Sequence, residues 1–316
     1  MKKLKAVVLG VGNRGTIYGD YSNIEPKELE IVGLIDSNPF RLEQGSKILH
    51  VGKENLFLSI KDFLKKKIKC DFVINATMDE LHYETSMELL KAGYNLLLEK
   101  PIVENEIKIR KIYETMKKHK CKICVCHVLR YTPFYSTIKK MIDKGDVGEI
   151  ISLEMNETIW KGHFVNSYVR GKWRNEKQCG SPLLLAKCCH DMDLICWLNN
   201  RTIPTKVSSF GSRQFYVKNN APKGSTQYCY NCPVKEKCLY NAEIFELEKD
   251  FFPKYTWKNI NKPYKEGGKC MLQFETGCNY ILEDKKEYEN KVKKINIYSC
   301  YNFYSFSNSN YIIMLL

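Results

Sequence analysis

Residues 4–15 read LKAVVLGVGNRG, and the fold turns on how this stretch is parsed. Leu4–Leu9 is a short apolar run rich in β-branched residues, as expected of a strand buried on both faces of a parallel sheet. It runs directly into Gly10-Val11-Gly12-Asn13-Arg14-Gly15, a G-x-G-x-x-G. The first glycine allows a tight turn, and the second lets backbone approach a pyrophosphate. The third lets the next helix pack close to the strand, with the phosphates facing that helix's N-terminus.

The residues that follow supply the context this motif needs. A second apolar run, residues 30–35 (EIVGLI), ends at Asp36, about 20 residues past the glycines, where a carboxylate accepts hydrogen bonds from ribose hydroxyls. An acid there repels a 2′-phosphate and favours NAD over NADP. Arg41, a few residues on, offers that phosphate a partner, which keeps NADP open. Residues 71–76 (DFVINA) make a third strand, and residues 81–92 have helical spacing. Residues 94–98 (YNLLL) make a strand ending at Glu99-Lys100-Pro101. Residues 106–118 are helical, and residues 122–127 (KICVCH) add another strand. Strands alternating with helices specify an α/β fold with a doubly wound parallel sheet, whose ligands bind at the strands' carboxyl ends. Gly10, Asp36, Thr77 and Lys100 all fall at such ends.

The second half reads differently. Residues 133–145 form a helix closed by Lys144-Gly145, and residues 149–159 (EIISLEMNETI) suit a strand of an antiparallel sheet with one exposed face. Residues 182–198 form an apolar helix that carries Lys187, His190, Asp191 and Asp193. Lys187 and His190 share a helix face, and burying both unpaired would be costly, so a polar pocket is expected there. Cys188-Cys189 read as core packing. Residues 271–282 (MLQFETGCNYIL) read as a hairpin turning at Glu275-Thr276-Gly277. Cys229-x-x-Cys232-Pro233 with Cys238 resembles half a zinc site, and Cys270 or Cys278 are candidates for a fourth ligand. A closed zinc site needs four ligands, so no metal is assigned.

The Gly10–Gly15 turn, the Glu99-Lys100-Pro101 strand end, Arg130-Tyr131-x-Pro133 and the His190-x-x-Asp193 helix together resemble the Gfo/Idh/MocA family. That family takes its name from glucose–fructose oxidoreductase, inositol dehydrogenase and MocA, and the resemblance covers roughly residues 3–283. It implies a Rossmann domain over residues 1–128 and an α+β domain over residues 129–284. The second domain's open, mainly antiparallel sheet would line the substrate pocket and mediate homo-oligomer contacts. The activity implied is hydride transfer between NAD(P) and a hydroxyl carbon of a sugar, polyol or cyclitol. Lys100 would sit beside the nicotinamide and the substrate hydroxyl, and His190 would be the general acid–base. The implied cofactor-binding set is Gly10, Gly12, Asn13, Arg14, Gly15, Asp36, Arg41, Thr77, His82, Glu99 and Lys100. Many members carry an Asp one helical turn before the catalytic His. Here that position is Ala186, and Lys187 supplies a charge instead, as a third catalytic candidate.

Two other readings use the same glycine turn. One is an NAD-dependent glycoside hydrolase that oxidises its substrate transiently. The other is a non-catalytic dinucleotide-binding protein, suggested by the missing acid and by residues 285–316. That stretch departs from the family pattern and is expected as an atypical tail, an altered or truncated C-terminus.

Composition narrows the field further. Fourteen cysteines in 316 residues do not make a secreted disulfide scaffold at this length. Met1-Lys2-Lys3 with the first apolar run mimics a signal peptide, but Asn13-Arg14 interrupts it at the usual lower limit of length. No stretch approaches the roughly 18 apolar residues of a membrane span. A cytoplasmic protein with reduced thiols and no membrane partner is expected. The formal charge of +14 comes from 50 Lys and Arg against 36 Asp and Glu, spread over amphipathic segments. No nucleic-acid module accompanies that charge. Duplex DNA should therefore bind weakly at physiological salt, on the order of 10⁻⁴–10⁻⁶ M and without sequence preference. Nanomolar, sequence-dependent binding in a mobility-shift assay would contradict this.

Overall fold

The computed structural model describes residues 2–159, 161–164, 167–168, 172–212, 220–226 and 232–238. Six parallel strands make one sheet: β1 (Leu4–Leu9), β2 (Leu29–Ile35), β3 (Leu56–Phe57), β4 (Phe72–Asn75), β5 (Leu96–Leu98) and β6 (Ile123–Val125). Their order is β3-β2-β1-β4-β5-β6, so the chain reverses direction across the sheet between β1 and β4. Ligands of such sheets bind outside the carboxyl ends at that switch point. The helices between strands are α1 (Asn13–Ile24), α2 (Pro39–Leu49), α3 (Ile60–Lys66), α4 (His82–Lys91) and α5 (Glu106–Lys118).

Alternate residues of the central strands feed two separate cores. Val7, Leu9 and Val73 join Phe63, Leu89, Leu90 and Ile112 on one face. Ala6, Val8 and Ile74 join Leu34, Leu42 and Leu49 on the other. This two-sided burial explains why the strands read as continuous apolar runs.

Residues 39–66, left without elements by the sequence reading, fold by local chemistry. Asn38 caps α2, its side chain accepting from the backbone of Phe40 at 2.9 Å and Arg41 at 3.3 Å, with Pro39 at the first helical position. Ser59 caps α3 by accepting from Asp62 N–H at 3.1 Å. β3 is only two residues long, too short for any periodicity to mark it.

Beyond β6 the chain forms α6 (Pro133–Lys144), α7 (Lys161–Phe164), α8 (Glu176–Cys179) and α9 (Leu183–Leu198). The strand expected over residues 149–159 is not formed among the described residues. An antiparallel strand exists only through its partner, and the expected hairpin at 271–282 lies outside the described residues, as does the tail at 285–316. Among the described residues no helix is long and apolar enough to cross a membrane. Nor is any group of three or more His, Cys, Asp or Glu placed to hold a metal ion among them. Cys232 and Cys238 are buried, while Cys229, Cys270 and Cys278 lie outside the described set.

The segment before α9 docks onto the sheet domain through one buried carboxylate. Asp79, after β4, accepts from Trp173 Nε1 at 2.9 Å and from Ser181 Oγ. Gly180 packs on the backbone of Glu80, where a Cβ would come within 2.9 Å of Cα. Asp79→Ala strands both donors and should destabilise the protein by about 1–3 kcal/mol or more, whereas Asp79→Asn keeps an acceptor and should cost less. Equal melting temperatures for wild type and Asp79→Ala would refute this docking role.

Candidate active site

β1 ends at Gly10, whose φ of +84° lies in the left-handed region. A Cβ there would come 2.6 Å from the Ala76 carbonyl oxygen at the end of β4. The third glycine, Gly15, lets α1 close on β1, since a Cβ would lie 2.9 Å from Val8 Cγ1. Gly12 is different: a Cβ would meet only Arg41 Nη1, at 3.9 Å, so the backbone there borders open space. Helix α1 starts with no side-chain cap and no acid in its first turn. The N–H groups of Asn13, Arg14 and Gly15 therefore lack helical acceptors at its positive end. Asn13 Oδ1 is buried without a protein partner. An open cradle and an uncapped helix start, with its free N–H groups, fit the pyrophosphate of a dinucleotide.

Asp36 locks this turn in place. It accepts from Val11 N–H at 2.8 Å and Asn38 N–H at 2.9 Å, and it pairs with Arg41 at 3.3 Å, both side chains being buried. A carboxylate offers about four acceptor positions, so room remains for one ribose hydroxyl. Arg41 is thus tied to Asp36.

Three other expected cofactor residues turn inward. His82 is fully buried, its Nδ1 2.7 Å from the Pro101 carbonyl and its Nε2 3.1 Å from the Thr77 carbonyl. It braces the two loops that carry Thr77 and Lys100, which corrects the expectation that it touches the cofactor. Thr77 Oγ1 donates to the buried Asn75 side chain at 2.8 Å. Glu99 accepts from Tyr18 Oη at 2.6 Å and from Lys100 N–H at 2.7 Å, and lies 3.8 Å from Arg14. It positions Arg14 and Lys100.

Two of the expected reacting groups are brought near each other by one hydrogen bond from the end of β5 to α9. Lys100 Nζ donates to the Ala186 carbonyl at 2.8 Å, bonding backbone at the position where the family pattern has a carboxylate. One turn further along α9, burial and then the Lys100 and Lys187 ammonium groups push the His190 imidazole down to about 3. Lys187 is held 2.8 Å from Glu157. Its charge is thus balanced, and it acts on His190 through space.

The sequence reading missed several members of this cluster. His163, on α7, is pushed down to about 4 by burial and by Lys187 and Lys100. His127 packs its ring edge-on to His190, centroids 6.0 Å apart. Asp191, which the sequence already placed on this helix, is raised to about 6 by burial and by Glu157. Glu157 was read only as part of the run 149–159 expected as a strand, and His163 lies in a segment to which the sequence assigned no element. His127 was visible only as the end of an apolar strand.

Comparison with known proteins settles the family. Residues 4–127 match the model described as "Oxidoreductase family, NAD-binding Rossmann fold", and residues 135–229 match the GFO/IDH/MocA C-terminal domain. The chain belongs to the Gfo/Idh/MocA oxidoreductase family. Residues 4–127 are its NAD-binding Rossmann domain, and the family models end well short of residue 283. A Bacillus subtilis protein named as an oxidoreductase, YteT, is 30% identical over 221 residues, covering 67% of this chain and 50% of its own length. An inositol 2-dehydrogenase of Corynebacterium glutamicum is 26% identical over 252 residues, 78% of this chain and 64% of that enzyme. The chain thus spans about half to two thirds of these relatives' length. The fold matches a scyllo-inositol dehydrogenase of Lactobacillus casei, solved with NAD(H) and scyllo-inositol, at a TM-score of 0.59 and 23% identity. That match covers 67% of this chain and 61% of the other.

Gly12→Val fills the open cradle without meeting the protein's own atoms. It should fold normally yet lose NADH binding, as read by nucleotide fluorescence. Unchanged affinity in a folded variant would place the pyrophosphate elsewhere. The buried histidines also set a pH dependence. Between pH 6.5 and about 4 the unfolded chain protonates His163 and His190 while the folded chain does not. Asp191 opposes this, since its proton binds more tightly in the folded chain between pH 3.8 and about 6. His127, also pushed down by burial, acts with His163 and His190, so the histidines outweigh Asp191 and stability falls as pH falls through this window. Replacing His163 and His190 by Gln should remove most of the drop in urea midpoint between pH 7 and pH 5, and an undiminished drop would contradict the assignment.

Proposed function

We propose that this chain is an NAD-dependent dehydrogenase that moves a hydride between the cofactor and a hydroxyl carbon of a polyol, cyclitol or sugar. The observation that supports this reading is the reach of Lys100, at the carboxyl end of β5, to α9 one turn before His190, where Arg14 of the glycine turn also acts on the imidazole. Gly12, Asn13, Arg14 and Gly15 would hold the pyrophosphate, and Asp36 would receive a ribose hydroxyl. Bound NAD supplies the hydride acceptor. The polyol specificity is carried over from the inositol dehydrogenases among the relatives.

Each protein group has a defined task in this scheme. Lys100 is fixed by Ala186 and directs its ammonium toward the reacting hydroxyl, stabilising negative charge as the proton leaves. His190, neutral at pH 7 because burial and two ammonium groups disfavour its charged form, accepts that proton. Lys187 contributes through the field at His190, and Glu157 keeps it from swinging into the pocket.

Lys100→Met and His190→Ala should leave NADH affinity nearly intact while lowering turnover of myo-inositol with NAD by at least about 10²–10⁴-fold, the range for acid–base groups. Lys187→Ala should cost less. Full activity of His190→Ala would refute the mechanism, and loss of NADH binding in Lys100→Met would refute the division of labour.

A further inference from the structure

We propose that His127 takes over the proton that His190 removes from the substrate hydroxyl and relays it toward solvent, with Asp193 and Arg130 holding His127 ready for that task. The relay rests on the dehydrogenase reading above.

His127 follows β6 at the carboxyl edge of the sheet, and its ring meets that of His190 at 82° with centroids 6.0 Å apart. The Nδ1 atoms of both rings are buried without a protein partner. On its other side His127 Nε2 lies 3.7 Å from Asp193 Oδ1. Asp193 is gripped by Arg130 through two hydrogen bonds, Nε at 2.7 Å and Nη2 at 2.5 Å. Arg130 in turn lies over the Trp197 ring, 5.6 Å from its centroid. The carboxylate is therefore fixed, and it favours the tautomer with hydrogen on Nε2. His127 Nδ1 is then left with a lone pair.

The charges around the two rings differ in a way that gives the transfer a direction. His190 faces Lys100, Lys187 and Arg14, all cations, so a proton placed on it is repelled. His127 faces Asp193 on α9 and Glu99 on β5's end, together with Arg130 from its own turn, Lys100 and His190. A base that holds its proton poorly needs a nearby group with a counter-charge, and His127, although burial pushes it down, has the Asp193 carboxylate 3.7 Å away.

The steps balance. As the hydride leaves the carbon for bound NAD, the hydroxyl O–H bond breaks and an N–H bond forms on His190. The Nδ1–H bond of His190 then breaks as an Nδ1–H bond forms on His127, across one bridging hydroxyl or water oxygen, since the two Nδ1 atoms are not hydrogen-bonded to each other. No electrons move in this second step, and the proton leaves His127 for bulk water. Reduction of a ketone runs the same path backward.

His127 is thus a positioning and relay residue, and its test separates relay from mere packing. Ring ¹H–¹⁵N NMR of the full chain at neutral pH should show hydrogen on Nε2 of His127 and on Nδ1 of His190, and Asp193→Asn should erode the His127 preference. The reverse tautomers would overturn the proposal. With myo-inositol and NAD, His127→Gln should lower kcat by at least about tenfold, below the loss for the acid–base group itself, with NADH affinity unchanged. Imidazole added to His127→Ala should restore part of kcat, which a packing defect would not allow. Normal turnover in a folded His127→Gln sinks the relay alone. Wild-type protein that binds NADH but oxidises no polyol sinks the dehydrogenase reading and the relay with it.

Discussion

The ammonium of Lys100 leaves the end of β5 and donates to the carbonyl of Ala186 in the first turn of α9. That bond joins the nucleotide-binding sheet to the helix bearing His190, so it positions the two groups proposed to react relative to each other. A charge-assisted hydrogen bond is worth more than a neutral one, about 1.5–3 kcal/mol net, and here its acceptor is main chain rather than a carboxylate. The Lys100 ammonium, together with that of Lys187, disfavours the charged form of His190. The missing acid at position 186 is therefore a change in electrostatics rather than a gap in the site.

A second constraint runs through the glycine turn. Gly10 and Gly15 are fixed by clashes with Ala76 and Val8, whereas Gly12 is fixed by nothing in the protein itself. Asp36 then clamps the turn through Val11 and holds Arg41 beside it. In the proposed cofactor site, discrimination between NAD and NADP would depend on this pair, because Arg41 offsets part of the negative charge of Asp36.

What was legible in the sequence followed the strength of the local pattern. β1, α5 and α9 stood where two-sided burial or 3.6-residue spacing made them visible, and Gly10 and Gly15 make the tight turn and close packing that their places in the motif implied. β3 was missed because two residues carry no period. The strand expected at 149–159 failed because alternation marks a surface that could pair, while pairing needs a second segment. At the site, Lys100, Lys187 and His190 could be read from motif positions and helix spacing. Glu157, His163 and His127 could not, since only tertiary packing brings them to α9. His82 shows the converse error: a motif-adjacent histidine placed in the cofactor set turned out to brace two loops.

The account stands on direct transfer between a substrate carbon and the cofactor held at the Gly10–Gly15 turn. Mass spectrometry of the reduced dinucleotide formed from NAD and fully carbon-deuterated myo-inositol in ordinary water tests it most directly. One deuterium should appear on the reduced dinucleotide. Reduced dinucleotide without deuterium would mean that the hydrogen exchanges with water on the way, and would contradict the account.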